Sequence, residues 1–272
     1  MNASYIRRIE ISKLWGRRNI AWELSPDVNI LSGINGIGKS TIINLVASVL
    51  SGNNRLGEHV RVLFAPEEAD RIDFDVIRSF DRPLLRGEAL DKLSDHNVKT
   101  ELDWQLYELQ RKYLDYQVNI GNRTIDLLQS DDPEARGKAT ELSAAKRRFQ
   151  DMLDHLFADT GKKLERSRNE ITFRQAGDLL TPYQLSSGEK QILVILLTVL
   201  VQDRKPCTLL MDEPEISLHV EWQQHLIALI RELNPRCQVI LTTHSPALIM
   251  DGWLDAVTEV SDISDDIPVS AP

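Results

Sequence analysis

Ile9 and Ile11, then Ile20, Trp22 and Leu24, alternate with polar neighbours. This period of two predicts an antiparallel strand pair turning near Gly16. The apolar run Val28 to Leu31 reads as a short strand, followed by a Gly-rich loop and a helical stretch from Lys39 to Leu50. Val60, Val62 and Phe64, then Ile72, Phe74 and Val76, return to the period of two, with Pro66 in the turn between them. From about Leu84 to about Asn169 the period becomes helical. Leu102, Leu106, Leu109 and Tyr113 form one stripe, Leu142, Phe149, Met152, Leu153 and Leu156 a second, and Asp131-Asp132-Pro133 breaks the two. Strand-helix alternation resumes at Ile171 and ends near Val260. The pattern predicts an α/β fold in four segments: an N-terminal lobe with a β-subdomain over 1–83, a helical insertion folded as a hairpin or small bundle over 84–169, a C-terminal lobe over 170–260, and an acidic tail over 261–272. The tail has no Lys or Arg and is expected to fray.

The chain has 272 residues, 42% of them apolar and 27% charged, which suits a large buried core and excludes a disordered or collagen-like chain. Its longest apolar run, Ile192 to Val201, is ten residues interrupted by Thr198. A spanning helix needs about 20. Residues 1–20 carry five bases and no apolar stretch of signal-peptide length, so a cytoplasmic location is expected. Cys207 and Cys237 each open an apolar run and read as reduced core thiols. The net charge of −9 is uneven: from 201 onward twelve acids face four bases, whereas residues 1–60 have seven bases and four acids. Bulk charge therefore does not predict nucleic-acid binding, yet it leaves room for a local basic face. Lys146-Arg147-Arg148 and Lys162-Lys163 with Arg166 and Arg168 are the basic runs, but 131–180 hold ten bases and ten acids, which favours a solvated, salt-bridged face. Asp73-Phe74-Asp75 has paired-acid spacing; on an alternating strand both acids face solvent.

Gly33-Ile34-Asn35-Gly36-Ile37-Gly38-Lys39-Ser40 fits G-x-x-x-x-G-K-[ST] between a strand and a helix. Glycines let backbone N–H groups wrap a phosphate, and the helix start beyond Gly38 adds positive potential. Lys39 is expected to reach the β and γ phosphates, and the Ser40 hydroxyl to ligate Mg²⁺. Leu209-Leu210-Met211-Asp212 is an apolar strand ending in an acid, with Glu213 next. Asp212 then belongs to the Mg²⁺ shell and Glu213 to the polarisation of the attacking water. Leu185-Ser186-Ser187-Gly188-Glu189 precedes the helical stretch Lys190 to Val201, and its hydroxyls and helix start make a second anion site.

These motifs resemble, in order, those of the ABC-type ATPase family. Gly33 to Thr41 is similar to its Walker A, Leu185 to Glu189 to its signature, Leu209 to Glu213 to its Walker B with catalytic Glu, and Thr243-His244-Ser245 to its switch histidine. The resemblance covers roughly residues 5–80 and 171–250. It implies a P-loop NTPase fold, an ABC-type ATPase head with an antiparallel β-subdomain and helical insertion, that binds and hydrolyses ATP with Mg²⁺. The implied nucleotide contacts are Gly33, Asn35, Gly36, Gly38, Lys39, Ser40 and Thr41. Ser40 and Asp212 are the implied metal ligands, and Glu213 and His244 the catalytic pair, with His244 at the γ-phosphate. The family closes head to tail as a dimer, so Ser186, Ser187, Gly188 and Glu189 are implied to act in trans on the partner's nucleotide.

The string Glu213-Pro214-Glu215-Ile216-Ser217-Leu218-His219, followed by Trp222-Gln223, departs from the transporter pattern, as do Ser187 and Glu189 in the signature. It is similar to the non-transporter branch of AAA family ATP-binding proteins that includes RecF, the overcoming-lysogenization-defect ATPases and the ATPase subunits of anti-phage systems such as Septu and PARIS. That branch implies a separate effector, a nuclease or toxin, and nucleic acid met through the insertion, with no membrane partner. The runner-up is the ATP-binding subunit of a transporter. Twenty-eight residues follow His244, too few for a nuclease domain, so chemistry on nucleic acid is expected from a partner. No Gln follows the strands Val60 to Phe64 or Ile72 to Arg78 to sense Mg²⁺; Gln105, Gln110 and Gln117 sit in the helical stretch. Trp15 is the best candidate to stack on adenine.

Overall fold

The computed structural model describes residues 1–53, 55, 59–78 and 98–266, which fall into two compact units. The first takes its described residues from 1–78, 204–231 and 235–266, the second from 98–203 and 232–234.

In the first unit, β1 (Tyr5–Leu14) and β2 (Arg18–Glu23) form the expected hairpin, and β4 (Val60–Ala65) pairs antiparallel with the other edge of β1. Ile9 faces Trp22 and Val62 across the ladder, while Ile11 faces Ile20 and Val60. Ile9, Ile11, Ile20, Trp22 and Val60 are all buried, so the period of two marks one core face. A second sheet is wholly parallel, in the order β11 (Val257–Glu259), β3 (Val28–Ser32), β10 (Cys237–Thr242), β9 (Cys207–Asp212), β5 (Phe74–Arg78). Its central strands β3, β10 and β9 are buried almost end to end and mostly apolar, as sheets covered on both faces require. Leu31 of β3 and Asp212 of β9 both pair with Thr242 of β10, so three strands end side by side. Helix α1 (Lys39–Leu50) packs Ile42, Ile43, Val46 and Ala47 into the core between the sheets. Gln238 of β10 is fully buried yet satisfied. Its Oε1 accepts from Ile6 N at 2.8 Å and Thr208 Oγ1 at 3.2 Å, and its Nε2 donates to Ile6 O and Ser25 O, both at 2.8 Å. One amide thus joins β1 to the parallel sheet.

The second unit is built on α2 (Glu101–Gln129), α3 (Ala135–Leu156) and α4 (Ser187–Val201). Thr100 and Asp103 form a capping box at the start of α2, and the break at 131–133 falls where the sequence puts it. Leu102, Leu106, Leu109 and Tyr113 are buried, as are Phe149, Met152 and Leu153 of the opposing stripe. Helix α4 is apolar around its whole circumference, and α2 and α3 both pack on it. A small meander of β6 (Lys163–Leu164), β7 (Phe173–Gln175) and β8 (Asp178–Leu180) completes this unit.

Several expectations need correction. Helix does not run to Asn169: α3 ends at Leu156, a 3₁₀ turn spans Ala158–Thr160, and Gly161 takes φ +66 before β6. Phe157 and Phe173, with ring centroids 5.3 Å apart, anchor this return, so their apolarity belongs to a turn-and-strand core. The tail does not fray up to 266. There β12 (Ser264–Asp266) pairs with the edge of β2, and Arg18 Nε donates to Asp266 Oδ1 at 3.0 Å. Asp75 is half-buried on β5, unlike exposed Asp73, because β5 lies against β9 rather than standing free. Residues 170–203, grouped by sequence with Asp212 and His244, belong to the helical unit through α4. The expected 83/84 boundary and the start of the insertion near Leu84 lie outside the described residues, as do tail residues 267–272. Cys207 and Cys237 are buried register partners that form no disulfide.

Candidate nucleotide site

The turn from β3 into α1 needs left-handed backbone at Gly33 (φ +144), Gly36 (φ +78) and Gly38 (φ +118). A Cβ on Gly38 would also lie 3.0 Å from the Trp15 ring. Gly38 is the N-cap and brings no side-chain cap, and the first turn holds no acid. The first N–H groups of α1 are therefore left for an anionic ligand. Lys39 is buried, its Nζ donating to Gly33 O at 2.9 Å and Ile34 O at 3.3 Å. Burial holds its ammonium below the usual lysine range, against the opposing pull of Glu213, Asp212 and Glu215.

The side-by-side strand ends bring the acids to this loop. Ser40 Oγ donates to Asp212 Oδ1 at 2.9 Å, and Thr242 Oγ1 donates to the same oxygen at 2.7 Å. Glu213 takes φ +49, a strained conformation for a residue with a side chain, and its N–H is held by Thr242 Oγ1 at 3.0 Å and Thr242 O at 3.1 Å. His244 Nε2 stands 3.4 Å from Glu213 Oε1. A hollow of about 560 Å³ is lined by Trp15, Asn35, Gly36, Gly38, Lys39, Ser40, Thr41, Glu213 and His244. Ten of the residues named from sequence, Gly33, Asn35, Gly36, Gly38, Lys39, Ser40 and Thr41 with Asp212, Glu213 and His244, thus lie within the first unit. Trp15 is 54% exposed and lines the hollow.

The signature residues lie in the second unit. Ser186 caps α4, accepting from Glu189 N at 3.4 Å, while Glu189 Oε2 accepts from Ser186 N at 2.9 Å. Ser186 and Ser187 are exposed and Gly188 is buried. Glu189 differs from its expected part as an open ligand contact: it is 3% exposed, and Oε1 accepts from Lys162 Nζ at 2.9 Å and Thr160 Oγ1 at 3.0 Å. Burial works to raise its pKa, but these donors and the Ser186 cap outweigh it and hold the carboxyl below its ordinary value. Lys190, which sequence reading passes over, pairs with Asp103 Oδ1 at 2.8 Å, both side chains nearly buried. Members of the basic runs have partners within the chain. Arg166 bridges Asp151 at 2.7 Å and Asp154 at 2.5 Å, and Lys146 donates to Gln117 Oε1 at 2.6 Å. Ion pairs thus take up Lys162 and Arg166 of these runs.

A family model described as "AAA domain, putative AbiEii toxin, Type IV TA system" matches residues 63–251, more than two thirds of the chain. The chain belongs to this AAA domain family. The matched span holds the signature, Asp212, Glu213 and His244, and begins after the phosphate loop. The chain is 24% identical to the Septu protein PtuA of Bacillus thuringiensis, over 90% of this chain and 72% of that protein. It is 34% identical to the Retron Ec83 probable ATPase of Escherichia coli, over 31% of this chain but only 18% of that one. Among solved structures, the Smc head bound to the C-winged helix domain of ScpA covers 97% of both chains with a TM-score of 0.52 at 18% identity. The fold is that of an ABC-type P-loop ATPase head.

The donor set of this AAA domain fits the group the fold implies. A hydroxyl and a carboxylate oxygen 2.9 Å apart are hard oxygen ligands of the kind Mg²⁺ takes, beside a helix start and a buried ammonium suited to phosphate. Among the described residues no cluster of three or more His, Cys, Asp or Glu suggests a protein-only metal cage. No helix among them is long and apolar enough to cross a membrane. Sequence reading quotes Glu215 and Gln223 only as part of the Glu-Pro-Glu string and gives them no place in the site, and it passes over Thr242, whose signal is its position at a strand end.

Proposed function

We propose that this chain binds and hydrolyses ATP with Mg²⁺, dimerises on ATP through composite sites, and works with a separate effector in anti-phage defence. The observation that carries the ATPase reading is the meeting of Lys39, Ser40, Glu213 and His244 around one hollow, with Asp212 bonded to Ser40. Lys39 and the first N–H groups of α1 are to hold the β and γ phosphates, with Ser40 and Asp212 to hold the metal. Glu213 is to orient the attacking water and His244 to meet the γ-phosphate. Two exposed serines ahead of a buried Gly188 on a capped helix support a role for Ser186 to Gly188 on a second copy's nucleotide, with Glu189 as the internal brace of that turn. The likeness to Septu protein PtuA, with the Glu-Pro-Glu string, supports the defence setting and a partner effector. Nucleic acid would be met through the insertion or through that effector, Lys162 and Arg166 of the basic runs being ion-paired within the chain.

The test is hydrolysis and sedimentation of the purified chain with Mg²⁺ and ATP. Glu213→Gln should bind ATP, stop turnover and accumulate as dimer. Lys39→Ala should lose binding. Gly188→Arg should bind as monomer yet fail to dimerise, and mixing it with Lys39→Ala should restore ATP-dependent heterodimers with one intact site. Normal hydrolysis by dilute monomeric Gly188→Arg would rule out the composite site.

A further inference from the structure

Beyond Glu213 lies a second carboxylate with no part in the reading above. Glu215 Oε1 accepts from Thr243 Oγ1 at 2.6 Å and from the His244 backbone N–H at 2.9 Å. Thr243 Oγ1 accepts in turn from Ser245 N–H at 2.9 Å, and Ser245 Oγ donates to Gln223 Oε1 at 2.7 Å. Gln223 Nε2 then donates to Leu218 O at 2.9 Å and Glu215 O at 3.3 Å, which closes a ring. The segment after β9 and the segment after β10 are joined by this ring of side chains. The other Glu215 oxygen is buried and has no hydrogen-bond partner among the described residues. A buried orphan oxygen is unfavourable, so the carboxylate is not explained by packing alone. Its bonded oxygen, by contrast, holds the backbone of the very residue whose ring stands 3.4 Å from Glu213.

We propose that Glu215 is a positioning residue for ATP hydrolysis: through Thr243 and the His244 N–H it sets His244 against Glu213, and Gln223 braces it from the opposite side. This rests on the ATPase reading. Without the Glu215 acceptor, two donors lose their partner and the switch segment is free to turn away from Glu213.

Steady-state hydrolysis and the affinity for a non-hydrolysable ATP analogue, measured on the full chain, test it. Glu215→Leu should lower kcat by about tenfold or more, with KM and analogue affinity within about twofold, because the interaction acts on the chemical step. Glu215→Gln keeps an acceptor oxygen and should recover most of that rate. Thr243→Val keeps the volume, removes one donor and should shift kcat in the same direction, which covers the case of a misfolded Leu variant. Adding Glu215→Leu to His244→Ala should cost little beyond His244→Ala alone. Parental kcat in both Glu215→Leu and Thr243→Val, or full multiplicative loss in the double variant, overturns the proposal while leaving the ATPase reading intact. A parent chain without ATPase activity, or Glu213→Gln at the parental rate, overturns both.

Discussion

Ser40 and Asp212, 172 residues apart in the chain, meet with a hydroxyl-to-carboxylate hydrogen bond of 2.9 Å. Parallel register produces that meeting: β3 and β9 flank β10, and all three end at the level of Thr242. Ligands in open parallel sheets gather at such carboxyl ends.

If those two oxygens share a metal, Mg²⁺ should strengthen ATP binding to the parent and do little for Asp212→Asn. Calorimetry with and without Mg²⁺ reads the difference. Equal Mg²⁺ enhancement in the variant would remove Asp212 from the metal shell.

Gly38→Ala should lose nucleotide binding, since its φ of +118 disfavours any side chain and the new Cβ would lie 3.0 Å from Trp15. The conformational strain alone is worth about 1–3 kcal/mol. Trp15→Ala in the same chain relieves the contact but not the backbone, so affinity should stay low. Full recovery in the double variant would mean that crowding, not φ, is what Gly38 avoids.

Gln238→Leu leaves Ile6 N–H, Ile6 O and Thr208 Oγ1 without this buried partner, while Ser25 O keeps the Asn29 Nδ2 donor at 3.0 Å. A destabilisation of about 2–4 kcal/mol is expected from groups of this kind. Urea unfolding measures it, and a change under about half a kcal/mol would show that water or rearrangement satisfies the three groups.

Burial, with Tyr116 as the next cause, pushes the Tyr113 hydroxyl up to about 12; burial, then Asp203, does the same for Tyr116. Free tyrosine titrates near 10, so between those values the unfolded chain loses protons that the folded chain keeps. The stability of the helical unit is thus undiminished by these groups below about pH 10 and falls as pH rises toward about 12. Helical circular dichroism should reveal this loss, and Tyr113→Phe with Tyr116→Phe should flatten it. An unchanged pH midpoint in the double variant would assign the loss to other groups.

Sequence alone discloses α1 because Ile42, Ile43 and Val46 carry a helical spacing behind a glycine loop, and it discloses Asp212 because an apolar strand covered on both faces ends there. It does not disclose β12, whose Ser264-Asp265-Asp266 has no apolar face; backbone pairing and Arg18 hold that strand. Nor does a period of two say which sheet receives a strand, so the departure of β5 from β4 is invisible before the fold exists. The partners of Glu215 and Glu189 depend on loops brought together by register and helix packing, which no local spacing encodes.

The strand that carries the phosphate loop has a waiting time. β3 is flanked by β10 and β11, both made about two hundred residues later. At roughly 5–20 residues per second, a ribosome needs on the order of ten to forty seconds to supply them. During that interval an apolar central strand has neither neighbour, while α2, α3 and α4 already hold the local contacts that fold fast. Chains arrested after Val201 should resist protease across the helices and be cut between Val28 and Leu50; the reverse pattern would refute this order of assembly. The interruption of the nucleotide unit by the helical one makes the birth of this protein a matter of keeping one strand covered until its partners arrive.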